Sequence, residues 1–426
     1  MPATPATALP APLAEMAADR WRAFADLAAR TDPAWRPAPG WTGAAQRVFA
    51  FSDFVFGACS GQPALLMELV DTGDLFKPSS EENYQRRLAA FLNRQPEDDA
   101  ADALATALRR FRRREMVRIA WRDLAGLADL NETMAELSAL ADSCLQQALA
   151  RLYADQCADL GRPEGAQEDA PGLVVVALGK LGARELNFSS DVDLVFAFPS
   201  HGQTCGGRRS VSHEEFFTRL ARHLIQALST PTADGFVFRV DARLRPYGEG
   251  GPLAMSFDAM EDYYQRQGRE WERYAWIKAR VVAGDRQAGE GLLARLRPFV
   301  FRRYLDFGAF ASLREMKANI EAEVRRKRLA GNIKLGRGGI REIEFFGQMF
   351  QLIRGGVNPS LQDRRILVVL DALAHEGAIE AEVCRDLADA YVFLRRVENR
   401  LQEAADRQTH DLPTEPIERL RLAAAM

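Results

Sequence analysis

The sequence predicts an α+β protein that is mostly helical and contains one small mixed sheet. Apolar residues recur at spacings of three and four through most of the 426 residues, which is the period of an α-helix. Between residues 173 and 244 this pattern changes to short β-branched or aromatic runs, which are typical of strands. A few strands between two long helical stretches favour helices packed around a small sheet.

Composition and charge argue against several classes of protein. The chain is 47% hydrophobic and 27% charged, so it can bury a large core, and its length suggests two or three structural units. Its 56 basic residues nearly balance 59 acidic ones, for a net charge of -3, which argues against a general nucleic-acid or membrane-surface binder. We therefore expect neither nucleic acid nor a membrane as a partner.

The cysteines and histidines indicate no structural metal site. Five cysteines are scattered, odd in number and without CxxC or Cys/His ligand spacing, so neither a disulfide framework nor a zinc site is expected. The five histidines also lack metal-ligand spacing. The start has no basic n-region, and no apolar run approaches the roughly 20 residues of a membrane span, so we expect a cytoplasmic protein.

The sequence divides the chain into four segments. Residues 1–13, rich in Pro and Ala, are predicted to be a disordered start, and residues 14–165 a helical region. A polar linker rich in Gly and Pro leads into a mixed core at residues 166–250, and residues 251–426 are predicted to be helical. The last helix pattern stops without a cap or a polar tail, which fits either a piece of a longer protein or a natural frayed terminus.

The mixed core is predicted to contain three strands and one helix. "LVVVAL" (173–178) and "VDLVFAF" (192–198) are short apolar runs, and "FVFRVDARL" (236–244) alternates apolar and polar residues. "HEEFFTRLARHLIQALS" (213–229) has the apolar spacing of a helix.

Two aspartates lie one residue apart at the second predicted strand. Side chains alternate faces along a strand, so Asp191 and Asp193 project to the same side, about 6.6 Å apart, while Val192 and Leu194 face the core. Carboxylates this close repel each other unless a cation lies between them, and a hard ion such as Mg2+ prefers oxygen ligands. Two exposed aspartates at the end of a sheet are the alternative.

A third aspartate lies on the third predicted strand. Alternation there places Arg239, Asp241 and Arg243 on one face and apolar residues on the other. If this strand lies near the aspartate pair, three carboxylates can hold one or two Mg2+ ions, while Arg243 and Arg245 orient phosphate oxygens. Surface Arg–Asp bridges on an amphipathic strand are the alternative.

A glycine turn before the aspartates is a candidate phosphate-binding element. Gly179 and Gly182 follow the first predicted strand, where glycine lets the backbone approach a phosphate, and Lys180 adds a positive charge. Ser189 and Ser190, just before the aspartate pair, either donate to a phosphate or cap the turn.

A second glycine turn, "IKLGRGGIREIEFF" at residues 333–346, opens a predicted helix. It can offer backbone N–H groups together with Lys334, Arg337 and Arg341 to a phosphate, although an ordinary loop before a helix has the same pattern. It is not a Walker motif, because no GK[ST] follows. The two glutamates of this segment are expected to be helix-start charges rather than ligands.

Longer strings of the sequence resemble one family. A glycine turn, DxD on a strand and a later strand with one Asp form the arrangement of the nucleotidyltransferase superfamily to which DNA polymerase β belongs. Within it, "GKLGARELNFSSDVDLVFAFP", "DGFVFRVDARLRPYGEGGPL", "GREWERYAWIKARVVAGD" and "IKLGRGGIREIEFF" resemble the glutamine synthetase adenylyltransferase/adenylyl-removing enzyme family. The resemblance extends from about residue 173 to 413 and implies a polymerase β-like nucleotidyltransferase core at residues 166–250.

The resemblance also implies a function, a cofactor and partners. Family members have two nucleotidyltransferase halves, and this chain, with one DxD unit after a helical region, resembles the amino-terminal half, which removes AMP from adenylylated glutamine synthetase. In the implied reaction, inorganic phosphate attacks the AMP–tyrosine bond and ADP is released. Asp191, Asp193 and Asp241 would be both the catalytic residues and the Mg2+ ligands. A PII-type signalling protein is an implied partner, and the chain would be part of a longer protein.

Two alternatives to this function remain at the level of the sequence. The chain could be a regulatory module that docks on glutamine synthetase or a PII-type protein, or this half could perform adenylyl transfer with the same metal chemistry. The wider superfamily usually has Gly-Gly or Gly-Ser where this chain has Gly179 and Lys180, so the role of Lys180 is open.

Two further segments of the sequence have recognisable patterns. "LRRFRRREMVR" at residues 108–118 has arginines all around a helix and few aromatic residues, which predicts a solvated helix with local ion pairs; a docking surface for glutamine synthetase is the alternative. "HGQTCGGRRS" at residues 201–210 is predicted to be a mobile loop that borders the site.

Overall fold

The computed structural model of the protein describes residues 9–37, 41–93, 100–165, 172–303 and 331–426, with 315, 318 and 322 as isolated positions. The predicted α+β class is confirmed, because most of the described chain is helical and surrounds a small mixed sheet. Residues 1–8 of the predicted disordered start lie outside the described residues, as do parts of the predicted linker and of the predicted carboxy-terminal helical region.

Helices precede, flank and follow the sheet. Before it come α1 (Ala11–Thr31), α2 (Trp41–Phe51), α3 (Asp53–Gly61), α4 (Pro63–Asp71), α5 (Glu81–Leu92), α6 (Ala100–Leu124) and α7 (Leu130–Leu160). The middle of the chain holds β1 (Gly161–Pro163), β2 (Val174–Ala177), α8 (Gly179–Gly182), β3 (Val192–Phe198), β4 (Thr204–Gly206), α9 (His213–Ser229) and β5 (Val240–Asp241). Then follow β6 (Ala254–Ser256), α10 (Phe257–Arg266), α11 (Glu270–Trp276), β7 (Arg280–Gly284), α12 (Arg286–Val300), α13 (Ile340–Arg354), α14 (Ile366–His375), α15 (Ala381–Glu403) and α16 (Pro416–Ala425).

None of the helices within the described residues is both long enough and apolar enough to cross a membrane.

Polar side chains cap the amino-terminal ends of several helices. The Ser212 hydroxyl accepts from the backbone N–H of Glu215 at the start of α9, and Asp285 does the same for Ala288 in α12. Such caps satisfy N–H groups that have no partner inside the helix, so the local sequence determines where these helices begin.

The central sheet has the order β5-β3-β2-β7, and β6 also pairs with β3. β2 is antiparallel to both β3 and β7, whereas β5 and β6 run parallel to β3. β3 therefore has β5 beside its first residues and β6 beside its last ones. The start of β3 lies next to the glycine turn of α8, since the N–H of Leu178 donates to the carbonyl oxygen of Asp193 at 2.9 Å.

Both faces of the sheet are covered by apolar clusters. From one face of β3, Val192, Leu194 and Phe196 enter a cluster that they share with the amino-terminal helices and α9. From the other face, Val195 and Ala197 enter a cluster with α10, α11 and α12. The predicted alternation along this strand is confirmed. Asp193 lies on the second face, at the end of the strand before the apolar cluster begins.

The central sheet contains two strands that the sequence analysis missed. β6 and β7 lie after residue 251, where the apolar spacing predicts only helices, and both belong to the central sheet. They are three and five residues long, too short to show alternation next to the helical patterns on either side. The predicted third strand, in turn, is regular only over β5.

Two further segments differ from their predictions. The basic run at residues 108–118 does form ion pairs, but the helix is not solvated, because Arg109, Arg112 and Arg118 are buried. The spacing of arginines alone does not reveal the carboxylates, such as Glu136, that other helices bring to them. The predicted mobile loop at residues 201–210 contains β4, which pairs with β1 in a separate two-stranded ribbon.

A buried ion pair holds the sheet against α7. Arg280 of β7 donates from Nη1 and Nη2 to the two carboxylate oxygens of Asp142, at 2.7 and 3.0 Å. It also donates to the carbonyl oxygen of Leu181 in α8 at 2.8 Å. One arginine therefore connects α7, β7 and the glycine turn beside the aspartates.

Burial raises the pKa of Asp142, but Asn offers Arg280 only one acceptor oxygen and no charge, so we expect Asp142→Asn to reduce the free energy of unfolding by about 3 kcal/mol. Urea denaturation measures the loss. The matched control is Asp155→Asn on the same helix, whose pair with Arg151 is about half exposed and should contribute less than about 1 kcal/mol. Equal losses in the two variants would show that the buried pair does not hold the sheet in place.

Candidate active site

The strand register places two of the three predicted aspartates side by side. β3 and β5 run parallel, and Val192 pairs with Val240 and Asp193 with Asp241. Neighbouring strands lie about 4.8 Å apart, so the carboxylates of the second pair leave the sheet on the same face as neighbours. Asp191 immediately precedes β3. The fold thus brings the third aspartate to the DxD pair.

Asp193 and Asp241 differ in their electrostatic environment. Burial and the charges of Asp241 and Asp191 raise the pKa of Asp193 to about 6, while Lys334 opposes this rise. By contrast, hydrogen bonds from Arg243 lower the pKa of Asp241. The two shifts have opposite directions because Asp241 has its own counter-charge, whereas Asp193 lies deeper and receives the repulsion of both neighbours. The negative charge of this group is therefore least compensated at Asp193.

Arginines neutralise the two outer aspartates. Arg239 donates from Nε to the Asp191 carboxylate at 2.7 Å, and Arg243 donates from Nη2 to the Asp241 carboxylate at 2.5 Å. The Arg243–Asp241 bridge is of the kind that the sequence offered as the alternative on this strand, whereas the Arg239–Asp191 bridge joins the strand to the start of β3. The Arg243 side chain is 69% exposed, so turning it toward an anion would require little desolvation.

Gly179 allows the turn of α8 to approach the aspartates. Its φ is +54°, and a Cβ built on it would lie 2.5 Å from an Asp193 carboxylate oxygen. A side chain at this position would therefore collide with the carboxylate and also strain the backbone. The glycine is required because the carboxylate occupies the space of its missing side chain.

A cavity of about 700 Å³ opens beside the aspartates. Its volume is within the range of pockets that bind small molecules. Its wall is formed by the glycine turn, the start of β3, α11 and α13. The residues that line it are Gly179, Lys180, Ser190, Asp191, Asp193, Leu244, Glu270, Trp271, Tyr274, Ala275, Lys278, Glu315, Lys334, Arg341, Glu344, Gln348 and Gln408.

The predicted phosphate-binding residues divide into two groups. Gly179, Lys180, Ser190, Lys334 and Arg341 line the cavity. The fold therefore brings together the two glycine turns, which lie more than 150 residues apart in the sequence. The other members of the predicted set, which are not among the residues that line the cavity, are Gly182, Ser189, Arg243, Arg245 and Arg337.

Most residues of the second group make contacts outside the cavity or are buried behind it. A Cβ on Gly182 would lie 2.0 Å from the carbonyl oxygen of Lys278, so this glycine permits close packing between α8 and the chain before β7. Arg245 donates to the carbonyl oxygen of Ala242 at 2.7 Å and holds the turn after β5. Ser189 is buried beneath the site. Arg243 and Arg337 are exposed.

Lys180 contacts α15. Its Nζ donates to Asn187 Oδ1 and to Glu398 Oε1, both at 2.6 Å. Burial lowers the pKa of Lys180 to about 7, although Glu398 acts in the opposite direction. Glu398 also contacts His410 Nε2 at 3.0 Å, and the carbonyl oxygen of His410 accepts from the N–H of Ile333 in the second glycine turn. One buried carboxylate thus connects the two glycine turns.

Sequence reasoning missed a further ion pair in the cavity wall. Lys278 donates to Glu344 at 2.7 Å, and both side chains are buried or nearly so. Burial alone would raise the pKa of Glu344, but Lys278 holds it at about 2. The prediction that Glu342 and Glu344 are helix-start charges is right for Glu342, which accepts from the N–H of Gly338, and wrong for Glu344. Helical spacing from Ile340 could have assigned Glu344 to an inner face.

The donor set at the aspartates suits a hard cation, although no closed metal site is formed. Within the described ranges, no three His, Cys, Asp or Glu side chains are arranged so that they could hold a metal ion. Asp193 and Asp241 are nevertheless adjacent carboxylates, and Mg2+ prefers such oxygen ligands. A cation between them would relieve the repulsion that raises the pKa of Asp193. The chemistry of the residues present therefore fits the ion.

Family comparisons cover most of the chain. The model of the glutamate-ammonia ligase adenylyltransferase family matches residues 42–295, which contain the sheet, the three aspartates and α11. The model of the GlnD PII-uridylyltransferase family matches residues 314–426, which contain the second glycine turn and α15. The two matches together include every residue that lines the cavity.

Individual proteins show the same similarity. The chain is 56% identical over 380 residues to a bifunctional glutamine synthetase adenylyltransferase/adenylyl-removing enzyme of Nitrosococcus oceani, and 52% identical over 384 residues to the protein of the same name from Pseudomonas aeruginosa. Each alignment covers 89% of this chain and 39% of the relative. The chain therefore spans about two fifths of the length of the curated relatives that it matches.

We expect Gly179→Ala to lower the free energy of unfolding by at least about 1 kcal/mol more than Gly377→Ala. Both positions have positive φ, +54° and +63°, so both variants pay the cost of about 1 kcal/mol for a left-handed alanine. Only at Gly179 does the new Cβ meet a carboxylate, since the space around Gly377 is open. Denaturant unfolding compares the two variants, and equal losses would contradict the predicted collision with Asp193.

We expect Asp193→Asn to stabilise the protein at pH 8 and to lose this effect as the pH falls. Because the folded-state pKa is about 6 and the usual value is 3.8, the ionised carboxylate disfavours folding above pH 6. The gain should reach up to about 3 kcal/mol at pH 8 and shrink towards zero between pH 6 and 4. Unfolding measured across this range tests it, with the exposed Asp258→Asn as control. A gain in stability that does not change with pH would show that the ionised Asp193 carboxylate is not its cause.

Proposed function

The chain belongs to the glutamate-ammonia ligase adenylyltransferase family, and we propose that it removes AMP from adenylylated glutamine synthetase by phosphorolysis. Glutamate-ammonia ligase is glutamine synthetase. One observation carries the proposal: the strand register that sets Asp193 beside Asp241 at the edge of a cavity of about 700 Å³. That arrangement suits the transfer of a nucleotidyl group, in which negative charge must be neutralised around phosphorus.

The reaction exchanges the phosphoester bond to tyrosine for the phosphoanhydride bond of ADP. An oxygen of inorganic phosphate attacks the phosphorus of the AMP–tyrosine diester, a new P–O bond forms, and the bond to the tyrosine oxygen breaks. The products are ADP and a tyrosine hydroxyl that takes up a proton. Both reactants are anions, so the site must supply positive charge before they can meet. No covalent enzyme intermediate is required.

Cations of the second glycine turn would bind the attacking phosphate. Lys334 and Arg341 line the cavity on the side of α13, and Lys180 lines it at the first turn. We assign Lys334 and Arg341 to the attacking phosphate, because both line the cavity and Arg341 is exposed there. Lys180, held by Glu398 and Asn187, is better suited to fixing the position of the first turn.

Mg2+ is the proposed cofactor. Asp193 and Asp241 would hold it, with Asp191 as a third ligand once Arg239 releases that carboxylate. Bound there, the ion would supply Lewis-acid charge for the phosphoryl oxygens and the leaving tyrosinate. The protein contributes the placement of three carboxylates at the end of a rigid sheet.

The proposed partners follow from the relatives. Proteins named bifunctional glutamine synthetase adenylyltransferase/adenylyl-removing enzyme suggest glutamine synthetase as the substrate of this chain and make adenylyl transfer the second candidate activity. The same carboxylates could serve both the removal and the attachment of AMP, so only the assay distinguishes the two activities. A PII-type signalling protein is the proposed regulatory partner.

We expect Asp193→Asn to lower phosphate-dependent ADP formation from adenylylated glutamine synthetase by at least about a hundredfold, because it removes a carboxylate from the centre of the group. The assay contains the chain, Mg2+, inorganic phosphate and the adenylylated synthetase, and it quantifies ADP. Asp258→Asn is the control, since this exposed aspartate pairs with Arg295 on the surface, away from the cavity lining. Undiminished ADP formation by Asp193→Asn would refute the assignment.

Two other outcomes separate the alternatives. Attachment of AMP to unmodified synthetase from ATP, without ADP release from the adenylylated form, would make this chain the transferase. Nucleotide binding with neither reaction would make it a binding module.

For the cofactor, Mg2+ should raise the unfolding temperature of the wild-type chain and not that of Asp193→Asn; an equal effect on both would contradict the proposed ligands.

A further inference from the structure

The proposed chemistry uses the charged part of the cavity and assigns no role to the wall formed by α11. α11, within the segment "GREWERYAWIKARVVAGD" at residues 268–285, contributes Glu270, Trp271, Tyr274 and Ala275 to the lining. These positions are spaced as one face of a helix. The opposite face of α11, which includes Trp276, is buried.

Buried contacts hold α11 firmly in place. Arg273 donates from Nε to the carbonyl oxygen of Phe299 at 3.0 Å, and Trp276 donates from Nε1 to the Tyr264 hydroxyl at 2.7 Å. Glu272 accepts from the Tyr263 hydroxyl at 2.8 Å. The side chains of the cavity face therefore project from a rigid helix, as a preformed binding surface requires.

Trp271 differs from the other tryptophans of the chain. Of the six, only Trp271 has no aromatic ring partner among the residues that the structure describes. The residue is 40% exposed. Nearby, Tyr274 is partly buried and packs against Phe345, with ring centroids 5.9 Å apart. The tryptophans that do have ring partners are Trp21, Trp35, Trp41, Trp121 and Trp276.

The cavity thus combines two kinds of surface. One part carries Asp191 and Asp193 with the cations of the two glycine turns. Leu244, Trp271 and Ala275 form an apolar part, and its indole is exposed among the residues that the structure describes. Leu244 follows Asp241 by three residues, so the chain that carries the third aspartate continues directly into the apolar part. A ligand with phosphate at one end and a flat ring at the other matches both parts.

We propose that Trp271 is the stacking platform for the nucleobase of the AMP group. This inference rests on the proposed function, because it uses the same cavity and names the residue that recognises the base. An indole provides a flat apolar face, and a base stacked on such a side chain contributes enough affinity to be measured by alanine substitution. Phosphate contacts cannot distinguish AMP from other sugar phosphates, so the base contact would make the site selective for a nucleotide.

The test compares ligands with and without a base. Isothermal titration of the full chain in Mg2+ measures the affinity for AMP, ribose 5-phosphate and inorganic phosphate. We expect wild type to bind AMP more tightly than ribose 5-phosphate. Trp271→Ala should weaken AMP binding by at least about fivefold and leave the affinity for ribose 5-phosphate unchanged, whereas Trp271→Phe should retain most of the AMP affinity.

Controls separate this inference from the proposed function. Phe393→Ala removes an exposed aromatic side chain elsewhere and should change none of the three affinities. Unchanged AMP affinity in Trp271→Ala would overturn the stacking role, and the proposed function would stand if Asp193→Asn still abolished ADP formation. Unchanged AMP affinity with a raised KM for adenylylated synthetase would assign the indole to the protein substrate instead. Failure of wild type to bind AMP more tightly than ribose 5-phosphate would overturn the stacking role, while the ADP assay would still decide the proposed function.

Discussion

Repulsion between carboxylates at the edge of a buried sheet is the constraint around which this molecule is organised. The parallel register of β3 and β5 forces Asp193 against Asp241, and burial adds to the cost of the charge. The surroundings reduce that cost without removing it. Arg239 and Arg243 neutralise the outer carboxylates, and Lys334 acts on Asp193 from a distance. The remaining imbalance is what makes this edge of the sheet suited to a cation and a phosphate.

A second set of buried charges fixes the walls of the cavity. Glu398 of α15 binds Lys180 of the first glycine turn and contacts His410, whose carbonyl oxygen holds the second turn. Lys278 and Glu344 join the chain before β7 to α13. Buried ion pairs of this kind contribute little net stability, but breaking one is costly, so their main effect is to specify position. Three distant parts of the chain thereby form one site whose parts cannot shift independently.

Elements defined by local signals were predictable from sequence. α9 and β3 have their predicted bounds, because a Ser212 cap and strict alternation are local properties. β6 and β7 were missed, because a strand of three to five residues gains its stability from neighbours in the sheet rather than from its own pattern. The buried arginines of α6 were misassigned for a related reason, since their partners lie on other helices.

The sequence by itself determined the chemistry available to this protein: two aspartates on one strand face, a third on another strand, and two glycine turns with cations. The tertiary structure alone decided how these groups meet. It paired Asp193 with Asp241, placed both turns on one cavity, and left Gly182, Ser189 and Arg245 outside the lining of that cavity. It also exposed Trp271 in the cavity wall. Composition and spacing follow from the chain, whereas proximity between distant residues depends on packing, which no local pattern encodes.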